Sequence, residues 1–262
     1  MQLNDEHIEE LRQAKFLLEN PSAAAKFSNV LAQPVEKGLK LLPDGARQQI
    51  LAISEASLSG ALKLALYTLG DEIQESSDLS HKAGAALAGA AGGAFGLSAL
   101  AAELPVSTAI MLRSIADIAR SEGENLEDPE ARIACLEVFA LGGSTSADDA
   151  AESGYFAVRA SLAKAVSEAA AYAAKNSVVT ESAPALIRLI GHIAARFSIP
   201  VTKKAAAQSI PILGAAGGAI VNTLFINHFQ DAARGHFVVR RLERTYGEEL
   251  VRETYDLISF EE

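Results

Sequence analysis

The chain has 262 residues, 49% hydrophobic and 21% charged, which is enough apolar content to bury a large core and excludes an unstructured polymer. Its formal net charge of -10 excludes general binding to nucleic acid, because neutralising phosphates requires clustered lysine and arginine. One cysteine, Cys135 in Ile133-Ala134-Cys135-Leu136, excludes an internal disulfide and reads as a buried structural thiol.

The opening residues, with Asn4-Asp5-Glu6 and Glu9-Glu10, lack the basic start and apolar core of a secretory signal, so a cytoplasmic location is expected. Asn4 caps a first helix with acidic residues in its opening turn, and Asn20-Pro21 ends it near Glu19. Pro34 and Pro43 divide the next stretch into short helices, and Asp44 to Leu69 carries apolar residues at helical spacing up to Gly70, a C-cap. Ser80 caps a helix that is interrupted at Glu103-Leu104-Pro105, resumes through Arg120 and stops at Gly123. Pro129 starts a connecting helix to Leu141, Gly142-Gly143 breaks it, and a second connecting run spans Ser146 to Lys175. Ser182 and Pro184 start a helix to Phe197, and Pro200 begins a short basic segment with Lys203 and Lys204. Nothing from Ile212 to Tyr246 forbids one long helix, although Gly235 weakens it.

Two segments repeat. Gly89-Ala90-Ala91-Gly92-Gly93-Ala94 recurs letter for letter as Gly214-Ala215-Ala216-Gly217-Gly218-Ala219. Downstream of each copy the sequence turns charged in the same way, Arg120-Ser121-Glu122-Gly123-Glu124 against Arg244-Thr245-Tyr246-Gly247-Glu248. Such self-similarity marks an internal duplication. The expected fold is all-α, a compact multi-helix bundle built from two pseudo-symmetric helical repeats with Gly/Ala-rich core helices. The repeats run from about 53 to 126 and from about 178 to 250, and N-terminal helices over 1–52 join the same unit.

Each interior helical glycine costs about 1 kcal/mol against alanine, so the group Gly84, Gly89, Gly92, Gly93 and Gly96 requires something to approach closely. Either the two copies pack on each other as a soluble core, or they meet lipid. Ala83 to Ala102 carries no charge and Ala205 to Gln230 none except on His228, lengths near those that span a bilayer. Polar Gln208, Ser209, Asn222, Thr223 and Asn227 argue against permanent insertion. Basic residues bracket both stretches, Lys82, Lys203 and Lys204 before them and Arg113, Arg120, Arg234, Arg240, Arg241 and Arg244 after, where anionic headgroups would lie. The candidate lipid- or partner-binding residues are Gly89, Gly92, Gly93, Gly214, Gly217, Gly218, Asn222, Lys203, Lys204, Arg240 and Arg241.

The order of glycine-rich helix, Glu103-Leu104-Pro105, Ile110-Met111-Leu112-Arg113-Ser114-Ile115-Ala116, Asp128-Pro129 and Leu136-Glu137-Val138-Phe139-Ala140-Leu141-Gly142 resembles the EcsC family. Thr202-Lys203-Lys204, Ile210-Pro211 and the block from Gly214 through Asn222 to Arg241 are similar to its C-terminal pattern, so the resemblance covers roughly residues 50 to 250. It implies work beside a membrane transport system, with membrane lipid or a membrane protein such as an ABC transporter as partner. It carries over no catalytic residue.

A zinc protease, a serine hydrolase and a nucleotide enzyme would each show a signature that this chain lacks, and Gly-Ala-Ala-Gly-Gly-Ala does not have dinucleotide-loop spacing. The polar residues that remain as catalytic candidates are Glu103, His228, Asp231 and His236. Glu103 falls at the repeat position of His228, which would bring the two together at a pseudo-twofold axis. His7, His81 and His192 suggest no ligand set, Asp148 and Asp149 cap a helix, and Arg113 pairs with Asp117 four residues on. The reading is a non-catalytic, membrane-associated accessory protein at the inner face of the membrane, without metal or cofactor. A soluble hydrolase or metal-dependent enzyme using the four polar candidates, and a soluble carrier of an apolar ligand, stand as alternatives.

Overall fold

Pro129–Leu141 is apolar on nearly every side, and in the computed structural model it runs through the middle of a helical bundle. The structure describes residues 3–19, 36–69, 97–143, 154–176, 183–209 and 214–260, without the side chains of 97–99 and 214–220. Eight helices have defined bounds there: α1 Asp5–Glu19, α2 Ala46–Thr68, α3 Leu97–Ser121, α4 Pro129–Leu141, α5 Gly154–Lys175, α6 Pro184–Gln208, α7 Gly214–Tyr246 and α8 Glu248–Leu257. No strand occurs among the described residues, and the fold is all-α.

The central α4 touches α2, α3, α5, α6 and α7. Past its first turn α4 is apolar on all sides except at Glu137, so burial on nearly every side is its stable solution. The expectation of a mere connecting helix is corrected by this placement. Ile133, Cys135, Leu136, Val138 and Phe139 of α4 are completely buried. Phe139 meets Phe197 of α6 and Phe229 of α7 with ring centroids 5.2 and 5.5 Å apart, and Phe225 stacks edge-on to Phe229 at 5.2 Å. Burial pushes the Cys135 thiol up to about 12, which leaves it protonated and inert.

Two prolines lie inside helices where breaks are expected from sequence. Helix α3 runs through Pro105 without ending, and α6 runs through Pro200 to Gln208, so Lys203 and Lys204 belong to its last turns. The sequence rule fails because packing on α2 and, for α6, on α4, α5 and α7 outweighs the missing amide donors. Several ends match expectation. Asn4 Oδ1 accepts the His7 amide at 2.7 Å to open α1, Pro129 occupies the first turn of α4, and Gly123, with φ +78, follows the end of α3. Helix α7 is 33 residues long, about 50 Å at the usual rise per residue.

The first Gly/Ala copy and Gly70 lie outside the described residues, while the second copy forms the opening turns of α7. The charged ends of the two copies meet directly. Arg240 grips Glu124 with two hydrogen bonds, 2.8 and 3.3 Å, and Arg244 donates to Glu124 and to the Glu122 carbonyl, the latter at 2.6 Å. Asp117 pairs with Arg120 at 2.9 Å, which corrects the expected pairing with Arg113. At the other side α1 packs on α7 and α8 over a second, smaller core of Leu11, Tyr155, Val239, Leu242, Val251 and Tyr255. A Cβ on Gly235 would lie 2.9 Å from the Ala14 carbonyl oxygen and 2.6 Å from Leu18, so the glycine marks the crossing of α1 over α7. Residue 52, the expected end of the N-terminal helices, lies inside α2.

Candidate functional site

Glu103 is the only acid or base between Lys82 and Arg113, and Lys204 is the last one before Asp231 apart from the histidine at 228. Each therefore borders a long apolar stretch where an isolated charge would be costly. The structure joins them. Lys204 Nζ donates to Glu103 Oε1 at 2.7 Å and to Asn222 Oδ1 at 2.9 Å, and Gln208 Nε2 reaches Glu103 Oε2 at 3.4 Å. The ammonium also lies 4.6 Å from the centroid of the Phe225 ring. Lys204 is completely buried and Glu103 nearly so.

Three helices build this cluster. Glu103 comes from the early turns of α3, Lys204 and Gln208 from the end of α6, and Asn222 and Phe225 from the first half of α7. Burial pushes the Lys204 ammonium down from its ordinary value, and the Glu103 carboxylate pulls the other way. The arrangement can hold opposite charges in an apolar interior with their main polar demands met. Glu103, Lys204 and Asn222 are all singled out by the sequence, but for different roles; Gln208 and Phe225 add partners that sequence reasoning does not assign to a site.

The remaining catalytic candidates are held elsewhere. His228 Nε2 donates to the Gly142 carbonyl at 2.6 Å, and burial pushes its pKa down. Asp231 pairs with Arg234 at 2.7 Å. His236 is completely buried, with Nδ1 2.9 Å from the Tyr155 hydroxyl, and burial holds its pKa well below 6.5, helped by Arg159 and Arg240. Among the described residues no group of three or more His, Cys, Asp or Glu side chains is arranged to hold a metal.

A second polar network surrounds His236 and was not picked out by the sequence. Arg159 of α5 donates to both Glu243 oxygens at 2.7 and 3.1 Å and lies 3.4 Å from the Tyr155 hydroxyl. Glu137 of α4 is buried near the charges of Arg159 and Arg240, and burial raises its pKa. The bidentate geometry and tight packing give this network a scaffolding role.

The basic residues expected to meet lipid differ from one another. Arg240 is engaged by Glu124, and Arg241 by Glu122 at 2.7 Å and Glu10 at 2.9 Å. Lys203, half-buried next to the Lys204 cluster, forms no salt bridge with a described residue. Gly89, Gly92 and Gly93 lie outside the described residues, and Gly214, Gly217 and Gly218 lie in the first turns of α7. By length and composition α2 and α6 are apolar enough to cross a membrane, and less than half of each apolar window is buried. They pack against each other.

The family model described as EcsC protein family matches residues 5–242. No curated protein and no solved structure matches the chain.

Proposed function

This chain belongs to the EcsC protein family, and on that footing we propose that it is a non-catalytic accessory protein that associates with the inner face of a membrane and binds lipid or a membrane-protein partner there. The observation that carries the reading is the Glu103–Lys204 pair. Ala83 to Ala102 ends at Glu103, and Ala205 to Gln230 begins after Lys204, so the two charges that border the uncharged stretches cancel each other at 2.7 Å. The result is a long apolar part of the chain in which Glu103 and Lys204 neutralise each other, a property that suits contact with lipid. Helices α2 and α6 support the same reading, being long, apolar and less than half buried. Work beside a transport system, with an ABC transporter as the membrane-protein partner, is the specific form of this proposal.

Vesicle flotation tests it. The protein is expected to float with phospholipid vesicles and to carry phospholipid through purification, seen on extraction and mass spectrometry. Protein that stays at the bottom of the gradient with every lipid composition, and carries no lipid, contradicts the lipid reading.

A further inference from the structure

We infer that the turn between residues 36 and 47 is the surface that docks on an anionic phospholipid bilayer; this rests on the membrane reading above. Within Lys37-Gly38-Leu39-Lys40-Leu41-Leu42, apolar and basic residues interleave. Leu39 is 40% exposed and Leu41 60%, unusual for leucines in a chain whose other leucines are mostly core. Lys37, Lys40 and Arg47 are exposed as well, and none forms a salt bridge with a described residue. The contrast with Arg159, Arg240, Arg241 and Arg244, all paired with carboxylates, sets these cations apart.

The turn is rigidly placed. Leu41 N–H donates to the Gly38 carbonyl at 2.9 Å and Ala46 N–H to the Pro43 carbonyl at 3.0 Å. Gly38 lies so close to α6 that a Cβ there would sit 1.8 Å from the Ala206 carbonyl oxygen. Ala206 is two residues from Lys204 and three from Lys203, so the turn is fixed beside the start of the second uncharged stretch. Within the turn Lys37, Lys40 and Arg47 outnumber Glu36 and Asp44. The excess of positive charge on this turn is complementary to an anionic surface. Leucines between lysines are the pattern that seats in a headgroup layer, with the aliphatic parts inward and the ammonium groups at the phosphates.

The full chain is tested with vesicles of phosphatidylcholine alone and of phosphatidylcholine with an equal part of phosphatidylglycerol. Binding is expected to the second and to weaken with salt. Lys40→Gln should lower vesicle affinity about fivefold, and Lys37→Gln with Arg47→Gln should lower it further. Leu39→Ser with Leu41→Ser should lower it on the order of tenfold. Since the chain has no tryptophan, Leu41→Trp supplies a single reporter whose emission should shift to the blue on anionic vesicles only. These side chains are exposed, and unchanged melting of each variant checks the fold. Vesicle binding by the wild type that none of these substitutions alters, with no shift at Leu41→Trp, overturns this docking surface and leaves the membrane reading standing. Absence of wild-type binding to either vesicle overturns both.

Discussion

Lys204 and Glu103, 101 positions apart in the chain, meet at 2.7 Å with the lysine fully buried. Removing one partner of such a pair leaves the other charged and unsolvated, whereas replacing both by apolar groups removes the desolvation burden along with the attraction. Glu103→Ala is therefore expected to destabilise the fold by roughly 3–5 kcal/mol, while Glu103→Leu with Lys204→Met should recover most of that loss. Urea denaturation of the three proteins checks this. Equal stability of Glu103→Ala and wild type would show that the pair contributes nothing.

His236 makes stability depend on pH. In the unfolded chain it takes up a proton near 6.5, but in the folded chain only well below that. Between those values the unfolded chain binds more protons, so stability is full above 6.5 and falls as the pH drops, by up to about 1.4 kcal/mol per pH unit. His228, also shifted downward by burial, adds to the same slope. Thermal melts from neutral to mildly acidic pH should show this decline, less steeply in His236→Gln. Parallel slopes for the two proteins would rule out His236 as a source.

Glycines separate into two kinds. A Cβ on Gly143 would lie 2.4 Å from the Arg196 carbonyl oxygen, whereas one on Gly60 would meet nothing within 4 Å. Gly143→Ala should destabilise by about 1–3 kcal/mol through overpacking against backbone. Gly60→Ala, in the exposed interior of α2, should stabilise by about 0.5–1 kcal/mol. Melting temperatures moving in the same direction would contradict the geometry.

Lys15 is a cap placed from a distance. Its ammonium donates to the carbonyls of Tyr255 at 2.7 Å and Ile258 at 2.8 Å and lies 4.9 Å from the Tyr255 ring. A cation at the C-terminal end of α8 satisfies carbonyls that the helix leaves open. Lys15→Met should cost roughly 2–3 kcal/mol and speed amide exchange in α8 before the rest of the molecule. Uniform exchange would argue against a local capping role.

Much of the helical order can be read from residues alone. Asn4, Gly123 and Pro129 act through local chemistry, and the structure puts helix ends where they predict. Pro105 and Pro200 mislead for the same reason that they are usually informative: the local penalty is real, but the helices are held by neighbours distant in sequence. The role of α4 is likewise a matter of tertiary placement. Its largely apolar run from Ile133 to Leu141 carried that signal, and its place between Pro129 and the Gly142-Gly143 break pointed to a connector instead. Gly235 looks like a weak point of a helix until α1 is seen crossing it.

The candidate site was legible in parts only. Glu103 stood out as the repeat counterpart of His228, Lys204 as a basic residue before an uncharged stretch and Asn222 as a polar residue within that stretch. Their junction is a meeting of α3, α6 and α7, and no spacing along one helix encodes a contact between three. The dispersal of His228, Asp231 and His236 has the same origin. They lie within one helix, yet their neighbours come from different elements: Gly142 after α4, Arg234 within α7 and Tyr155 of α5.

The contact of Lys15 with Tyr255 spans 240 positions of the chain. During synthesis α1 emerges well before α7 and α8, against which it packs. Leu11 and Ala14 must therefore wait uncovered until α7 and α8 have been made. Closing so long a loop is slow, and exposed apolar surface in the meantime invites chaperones or association with other chains. The smaller core thus sets the order of assembly: the α4-centred bundle is free to form first, and the two ends of the described chain lock together as the final step.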